Sequence, residues 1–174
     1  VLGLLAPSLS RFFRGRTLDS EARRMVSLTR YGQARAVSEG IPMLMWIDTV
    51  RQAYGLEAEY SYTANDDKAV DYALDRDLGV EAQFVRRRTA ESGMVRQDRR
   101  FGASVVQIRF QPDGFIGEQS PDLLRLSRLP GSGEVRQDDG AESIWIARSR
   151  NGLNYEIATN HWLDRKSTRL NSSH

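Results

Sequence analysis

The chain has 174 residues, 40% of them hydrophobic and 28% charged, which suits one folded domain with a real core and excludes a disordered polymer. Its net charge of +2 is too small to imply nucleic acid without a concentrated patch, and the lack of cysteine excludes disulfides and thiolate metal sites. Only Lys68 and Lys166 are lysines, the other basic residues being arginine, a bias read as genomic composition rather than selection for phosphate binding.

Val1, Leu2, Leu4, Leu5 and Ala6 run through Pro7 into a charged amphipathic stretch, so the pattern predicts a helix over 1–38. Such a helix is about 57 Å long at 1.5 Å per residue. A compact domain of this size is roughly 40 Å across. The front half is therefore expected to project, carrying Leu2, Leu4, Leu5, Leu9, Phe12 and Phe13, and exposed apolar surface of that kind calls for lipid or a partner helix. Leu2, Leu5, Leu9, Phe12 and Phe13 are the predicted contacts with neighbouring helices. Pro7 removes one backbone hydrogen bond and is expected to kink or loosen the helix.

A membrane span needs about 20 apolar residues, far more than Val1–Ala6 supplies. The run has neither the basic flank nor the cleavage site of a secretory signal. The expectation is that roughly 15 further apolar residues lie upstream and complete a span.

In the rear half, Leu18, Ala22, Met25, Thr29, Gly32 and Ala36 recur at intervals of three and four. This stripe of mostly small residues predicts close packing on a sheet through Leu18, Ala22, Met25 and Thr29, with Arg16, Arg23, Arg24, Arg30 and Arg35 mainly off it. Asp19 and Arg23 form a local i, i+4 pair. Gly40 and Pro42 supply a cap and a stop.

Strands follow. Met43–Asp48 and Ala53–Tyr62 read as a hairpin turning at 49–52. The stretch from Asn65 to Leu78 spaces Ala69, Val70, Ala73 and Leu74 as a short helix capped by Asn65 or Asp66. Its aspartates, Asp66, Asp67, Asp71, Asp75 and Asp77, lack the spacing of a calcium loop and read as a solvated helix face. A basic connector spans 86–100. Ser104–Phe110 alternates, Gln111–Gly114 has turn chemistry, and Phe115 and Ile116 resume the strand. Pro121–Arg128 is a further strand, 130–140 a glycine- and aspartate-rich loop, and Ser143–Arg148 pairs with Leu153–Ala158 across Asn151-Gly152. From Asp164 the chain reads "DRKSTRLNSSH"; it is predicted to be disordered and resembles translated adapter sequence, so it is excluded from the fold.

Catalytic motifs are absent: no G-x-S-x-G, H-E-x-x-H or P-loop occurs, and the only histidines are His161 and His174. His161, beside Trp162, reads as a packing residue. No catalytic, metal or cofactor residue is assigned.

"SEARRMVSLTRYGQARAVSEGIPMLMWID" at Ser20–Asp48, "IRFQPDGF" at Ile108–Phe115 and "SIWIARSRNGLNYEI" at Ser143–Ile157 resemble the GspH/FimT family of minor pseudopilins, over the chain from Val1 to about Trp162. The resemblance implies an α+β fold, a long N-terminal helix (1–38) packed against antiparallel β-sheet in a periplasmic domain (41–163), followed by the tail at 164–174. It implies no enzymatic activity and no cofactor. Such proteins are held in the inner membrane, trimmed and methylated by a prepilin peptidase, and packed by their helices with other pseudopilins or pilins. They build the periplasmic filament of type II secretion or a type IV pilus. The family's processing site, first half-helix and glutamate find no counterpart in these residues. In the alternative of a pilus-tip subunit, Arg86, Arg87, Arg88, Arg99 and Arg100, with Arg96 beside them, would contact DNA phosphates.

Overall fold

The computed structural model describes residues 6–84, 104–129 and 143–158, and the side chains of the helix from Leu18 onward. Among the described residues one helix, α1 (Ala6–Glu39), is followed by eight strands: β1 (Met43–Asp48), β2 (Ala53–Ala58), β3 (Val70–Ala73), β4 (Leu78–Gln83), β5 (Val105–Phe110), β6 (Leu123–Arg128), β7 (Ser143–Arg148) and β8 (Tyr155–Ala158). They form two four-stranded antiparallel sheets, ordered β3-β2-β1-β5 and β4-β6-β7-β8. The helix packs on strands of both. This is the expected helix-on-antiparallel-sheet architecture, with the strands divided between two sheets.

Local chemistry explains the ends of the elements. Gly40 adopts φ +70 and donates its N–H to the Ala36 carbonyl at 3.0 Å, so a residue without Cβ closes the helix. Asp48 Oδ1 accepts from the amides of Val50 (3.0 Å) and Arg51 (2.9 Å), which folds the β1–β2 turn. Inside, alternating strand residues share one core with the helix: Met43, Met45, Ile47, Tyr54, Leu56, Ile108 and Phe110 from one sheet, and Leu78, Val80, Leu124, Leu126, Ile146 and Tyr155 from the other, are all buried. Tyr155 donates its hydroxyl to the Pro121 carbonyl, and burial pushes that phenol well above its usual range.

The structure corrects the sequence reading in several places. Asn65–Leu78 is not a helix: turns surround β3, which pairs with β2 through Leu56 with Val70 and Tyr54 with Tyr72. The period-two pair Val70 and Tyr72 wins over the helical spacing because Tyr72 then lies 5.5 Å from the Tyr54 ring, an aromatic pair that only the tertiary fold supplies. The aspartates accordingly lie on turns and a strand, not on a helix face. Strand β2 stops at Ala58, and Tyr60 and Tyr62 are exposed in a turn closed by the Tyr62 N–H to Glu59 carbonyl bond of 2.9 Å. Phe115 and Ile116 form no full strand; a single bridge joins Ile116 to Phe110.

Strand β4 escaped the sequence reading, although Leu78, Val80 and Ala82 alternate with Gly79, Glu81 and Gln83. At Gly79 an added Cβ would lie 2.7 Å from the Leu129 side chain, so the backbone is crowded there. The basic connector, the loop at 130–140, His161 and the tail from Asp164 lie outside the described residues.

Candidate assembly surface: the anchored helix and its signature turns

The sheet-facing stripe of α1 is where the helix gains its hold. Leu18, Ala22, Met25 and Ala36 are fully buried, and Thr29 is 2% exposed, its hydroxyl donating to the Val26 carbonyl at 2.7 Å. Gly32 sets the closest approach: a Cβ there would lie 2.8 Å from Leu56 Cδ1 and 2.9 Å from the Phe110 ring. The small residues thus let the helix axis sink toward the sheet.

On one flank the helix is tied by charge. Arg35, read from sequence as mainly off the packing stripe, is instead 4% exposed. Its guanidinium reaches Asp66 through Nη2 at 2.9 Å and Nη1 at 3.1 Å, and Glu39 through Nε at 3.0 Å. It is buried because this planar fork finds two carboxylates at once. Asp66 also accepts the amides of Ala58 (2.7 Å) and Lys68 (3.0 Å), and Lys68 Nζ reaches Glu39 at 3.0 Å.

Burial alone would raise the Asp66 pKa, but the Arg35 bond and the two amides reverse it and hold the carboxyl below its usual range. Glu39 is lowered by its bonds to Arg35 and then Lys68. Nearer the start of the stripe, buried Glu21 accepts the Tyr54 hydroxyl and pairs with Arg24 at 3.1 Å, while Arg24 stacks 5.4 Å over the Tyr72 ring. Burial, followed by the bond to Glu21, raises the Tyr54 pKa far out of the physiological range, so its hydroxyl is a fixed donor.

On the other flank the ties are neutral. Gln33 Nε2 donates to the carbonyls of Gly114 (2.6 Å) and Leu153 (2.5 Å). These carbonyls belong to the two glycine turns, P-D-G at 112–114 and N-G-L at 151–153. Each turn is locally self-contained: Asp113 Oδ1 accepts from the Phe115 amide at 3.0 Å, Asn151 Oδ1 from the Leu153 amide at 3.1 Å, and Gly114 and Gly152 adopt φ +86 and +72. Ile116 N–H then donates to the Gly152 carbonyl at 3.1 Å, joining the two turns directly. Arg148 fixes the junction through Nη2 to Ile116 O at 2.6 Å and Nη1 to Gly117 O at 3.1 Å. A Cβ on Gly152 would sit 3.2 Å from that same Nη2. Beside the junction, Val37 and Phe115 are 54% and 48% exposed.

Sequence reasoning identified both turns but missed Gln33, Arg148 and the Arg35 network. A glutamine in a helix carries no local sign that two distant turns will present carbonyls to it. The exposed Asp19–Arg23 pair is present at 2.7 Å. Leu9, Phe12 and Phe13 lie on the helix before its described side chains; Leu2, Leu5 and Arg86, Arg87, Arg88, Arg96, Arg99 and Arg100 lie outside the described residues. Among the described residues no cluster of acidic or histidine side chains could hold a metal, and no helix is long and apolar enough to cross a membrane.

A long helix anchored along two antiparallel sheets, with both glycine turns folded onto it, is the build of a pilin-like structural subunit. The family model for the type II transport protein GspH matches residues 21–143, and the chain belongs to that family. The minor pseudopilin EpsH from the type II secretion system of Vibrio cholerae shares the fold. One structure of it has a TM-score of 0.51 at 12% identity over 82% of this chain and 96% of that one. A second gives 0.51 at 13% identity over 83% and 97%. At such identity the likeness concerns the fold alone. No curated protein matches this chain in sequence. The family is one of structural pseudopilins, which associate with one another.

Proposed function

We propose that this chain is a minor pseudopilin of a type II secretion pseudopilus, assembling through the front of α1. Leu2, Leu5, Leu9, Phe12 and Phe13 contact the helices of neighbouring subunits. An upstream apolar segment, processed by a prepilin peptidase, holds the subunit in the inner membrane with residues 41–163 in the periplasm.

The observation that carries this reading is the mismatch between helix and body. The 34 residues of α1 span about 51 Å at 1.5 Å per residue, more than the roughly 40 Å expected across the domain. Continuing the buried stripe from Leu18 toward the N-terminus at the same spacing brings up Arg14, Arg11 and Pro7. Those residues cannot extend an apolar packing face. By helical spacing Leu9, Phe12 and Phe13 fall on other faces, which supports contact with other helices instead of with the chain's own sheets.

The test is co-assembly. Leu9→Glu or Phe12→Glu in the full-length protein is expected to abolish capture of partner pseudopilins while the thermal unfolding of the domain stays unchanged. Undiminished capture by both variants would sink the proposal. The arginines of the DNA-binding alternative lie outside the described residues. An absence of DNA affinity at low salt would remove that alternative.

A further inference from the structure

Each sheet ends in two edge strands, β3 and β5 in one and β4 and β8 in the other. An edge presents unpaired N–H and C=O groups from alternate residues, and proteins blunt such edges by capping, shortening or charging them. Strand β5 is capped: the Arg109 N–H donates to Ser120 Oγ at 3.1 Å and the Arg109 carbonyl accepts from Gly117 at 2.8 Å. Strand β4 is capped too, its Val80 N–H donating to Gln52 Oε1 at 2.8 Å and its Leu78 N–H to the Asp75 carbonyl at 2.9 Å. Strand β3 is four residues long and stands among Asp66, Asp67, Asp71, Asp75 and Asp77.

Strand β8, also four residues long, has no hydrogen-bonding cap on its outer edge among the described residues. The Ser149 N–H to Asn154 carbonyl bond of 2.8 Å sets the phase of the β7–β8 ladder, so Glu156 and Ala158 bond to β7 and the N–H and C=O of Tyr155 and Ile157 face outward. Among the described residues no backbone group meets them. Ile157 is 36% exposed at this edge, and Glu156 is exposed with no cation paired to it among the described residues.

We propose that the outer edge of β8 is a strand-docking site whose occupant is an extended segment of a different chain, with a basic residue between two apolar ones. The charge of Glu156 selects the occupant. Antiparallel pairing with a second copy, in the register that bonds Tyr155 to Ile157 of the other molecule, would set Glu156 directly against Glu156, and like charges opposed across strands destabilise the pair. A Lys or Arg at that position forms a favourable cross-strand pair instead. The apolar neighbours of the basic residue fall on the Ile157 face, where they cover its exposed surface. The site is independent of the helix contacts before Leu18, so substitutions at Leu9 and Phe12 leave it intact.

The experiment is backbone amide exchange on the full chain, alone and with the capped peptide Thr-Val-Arg-Val-Thr. In the free chain the Tyr155 and Ile157 amides are expected to exchange at least about tenfold faster than that of Glu156, as open edge groups do. Peptide addition should slow both. A peptide with Glu in place of Arg should bind about fivefold more weakly, the scale of a cross-strand charge pair. Ile157→Pro removes only an outward donor and should abolish binding; Glu156→Lys should reverse the preference between the two peptides. Protection of Tyr155 and Ile157 in the free chain would overturn the proposal, because the edge would already be occupied. So would an absence of peptide protection, or equal binding of the two peptides.

Discussion

The two flanks of α1 solve the same problem with different chemistry. Toward β2 and the turn at 59–69, the helix is held by the buried Arg35 between Asp66 and Glu39; toward the glycine turns it is held by the uncharged Gln33 and two backbone carbonyls. The difference lies in what each joint depends on. A buried ion pair fails when one partner is removed, because the other is left as an unmatched charge. A neutral joint fails when the backbone no longer presents its carbonyls, so it depends on turn geometry and on glycine.

The largest expected effect is therefore on the charged flank. Arg35→Met should cost about 3 kcal/mol, the low end for breaking a buried pair, because the Ala58 and Lys68 amides still hold Asp66. Urea unfolding checks it, and the double variant with Asp66→Asn should recover part of the loss. Equal stability of Arg35→Met and the parent protein would show that the fork contributes nothing.

Between the flanks, Gly32→Ala tests the closeness of the helix to the sheet. The new Cβ meets Leu56 and Phe110 below 3.0 Å, and overpacking of this kind should cost about 2 kcal/mol, read as a lowered unfolding midpoint. On the neutral flank, Gln33→Ala should cost about 1 kcal/mol, the scale of neutral hydrogen bonds partly replaced by water. Its distinguishing sign is local: faster amide exchange at Ile116 and Gly152, with the β1–β2 amides unchanged.

The smallest effect separates the flanks by pH. Asp66 and Glu39 have folded pKa values below their unfolded ones, so their contribution is present above the ordinary carboxylate range, about 4, and is lost as pH falls through the depressed values. Arg35→Met should flatten that acid loss, whereas Gln33→Ala should leave its slope as it is. A parallel acid profile in all three proteins would remove the distinction.

Much of the fold was legible because its signals are local. The helix, its glycine cap, the β1–β2 hairpin and the N-G hairpin each rest on residues within a few positions of one another. So does the stripe from Leu18 to Ala36, whose buried positions follow the helical period. Reading failed at 65–83 for a reason visible in Asp66 and Tyr72. Asp66 looks like a helix cap until Arg35 and the Ala58 amide claim it, and Tyr72 looks like part of a helix until Tyr54 offers it a ring. Neither competitor is near in the chain.

The amino-acid order alone determined the long N-terminal helix, the glycines that turn left-handed at 40, 114 and 152 and which residues favour burial, because helical period, strand alternation and glycine's missing Cβ act over short distances. Only the tertiary structure decided that the strands divide into two sheets, that Arg35 goes inside, that Gln33 gathers two remote turns and that β8 stands at the edge of its sheet. Each of those outcomes depends on which groups from distant segments reach one another first, and buried hydrogen-bond donors and acceptors accept whichever partner the packing brings within reach.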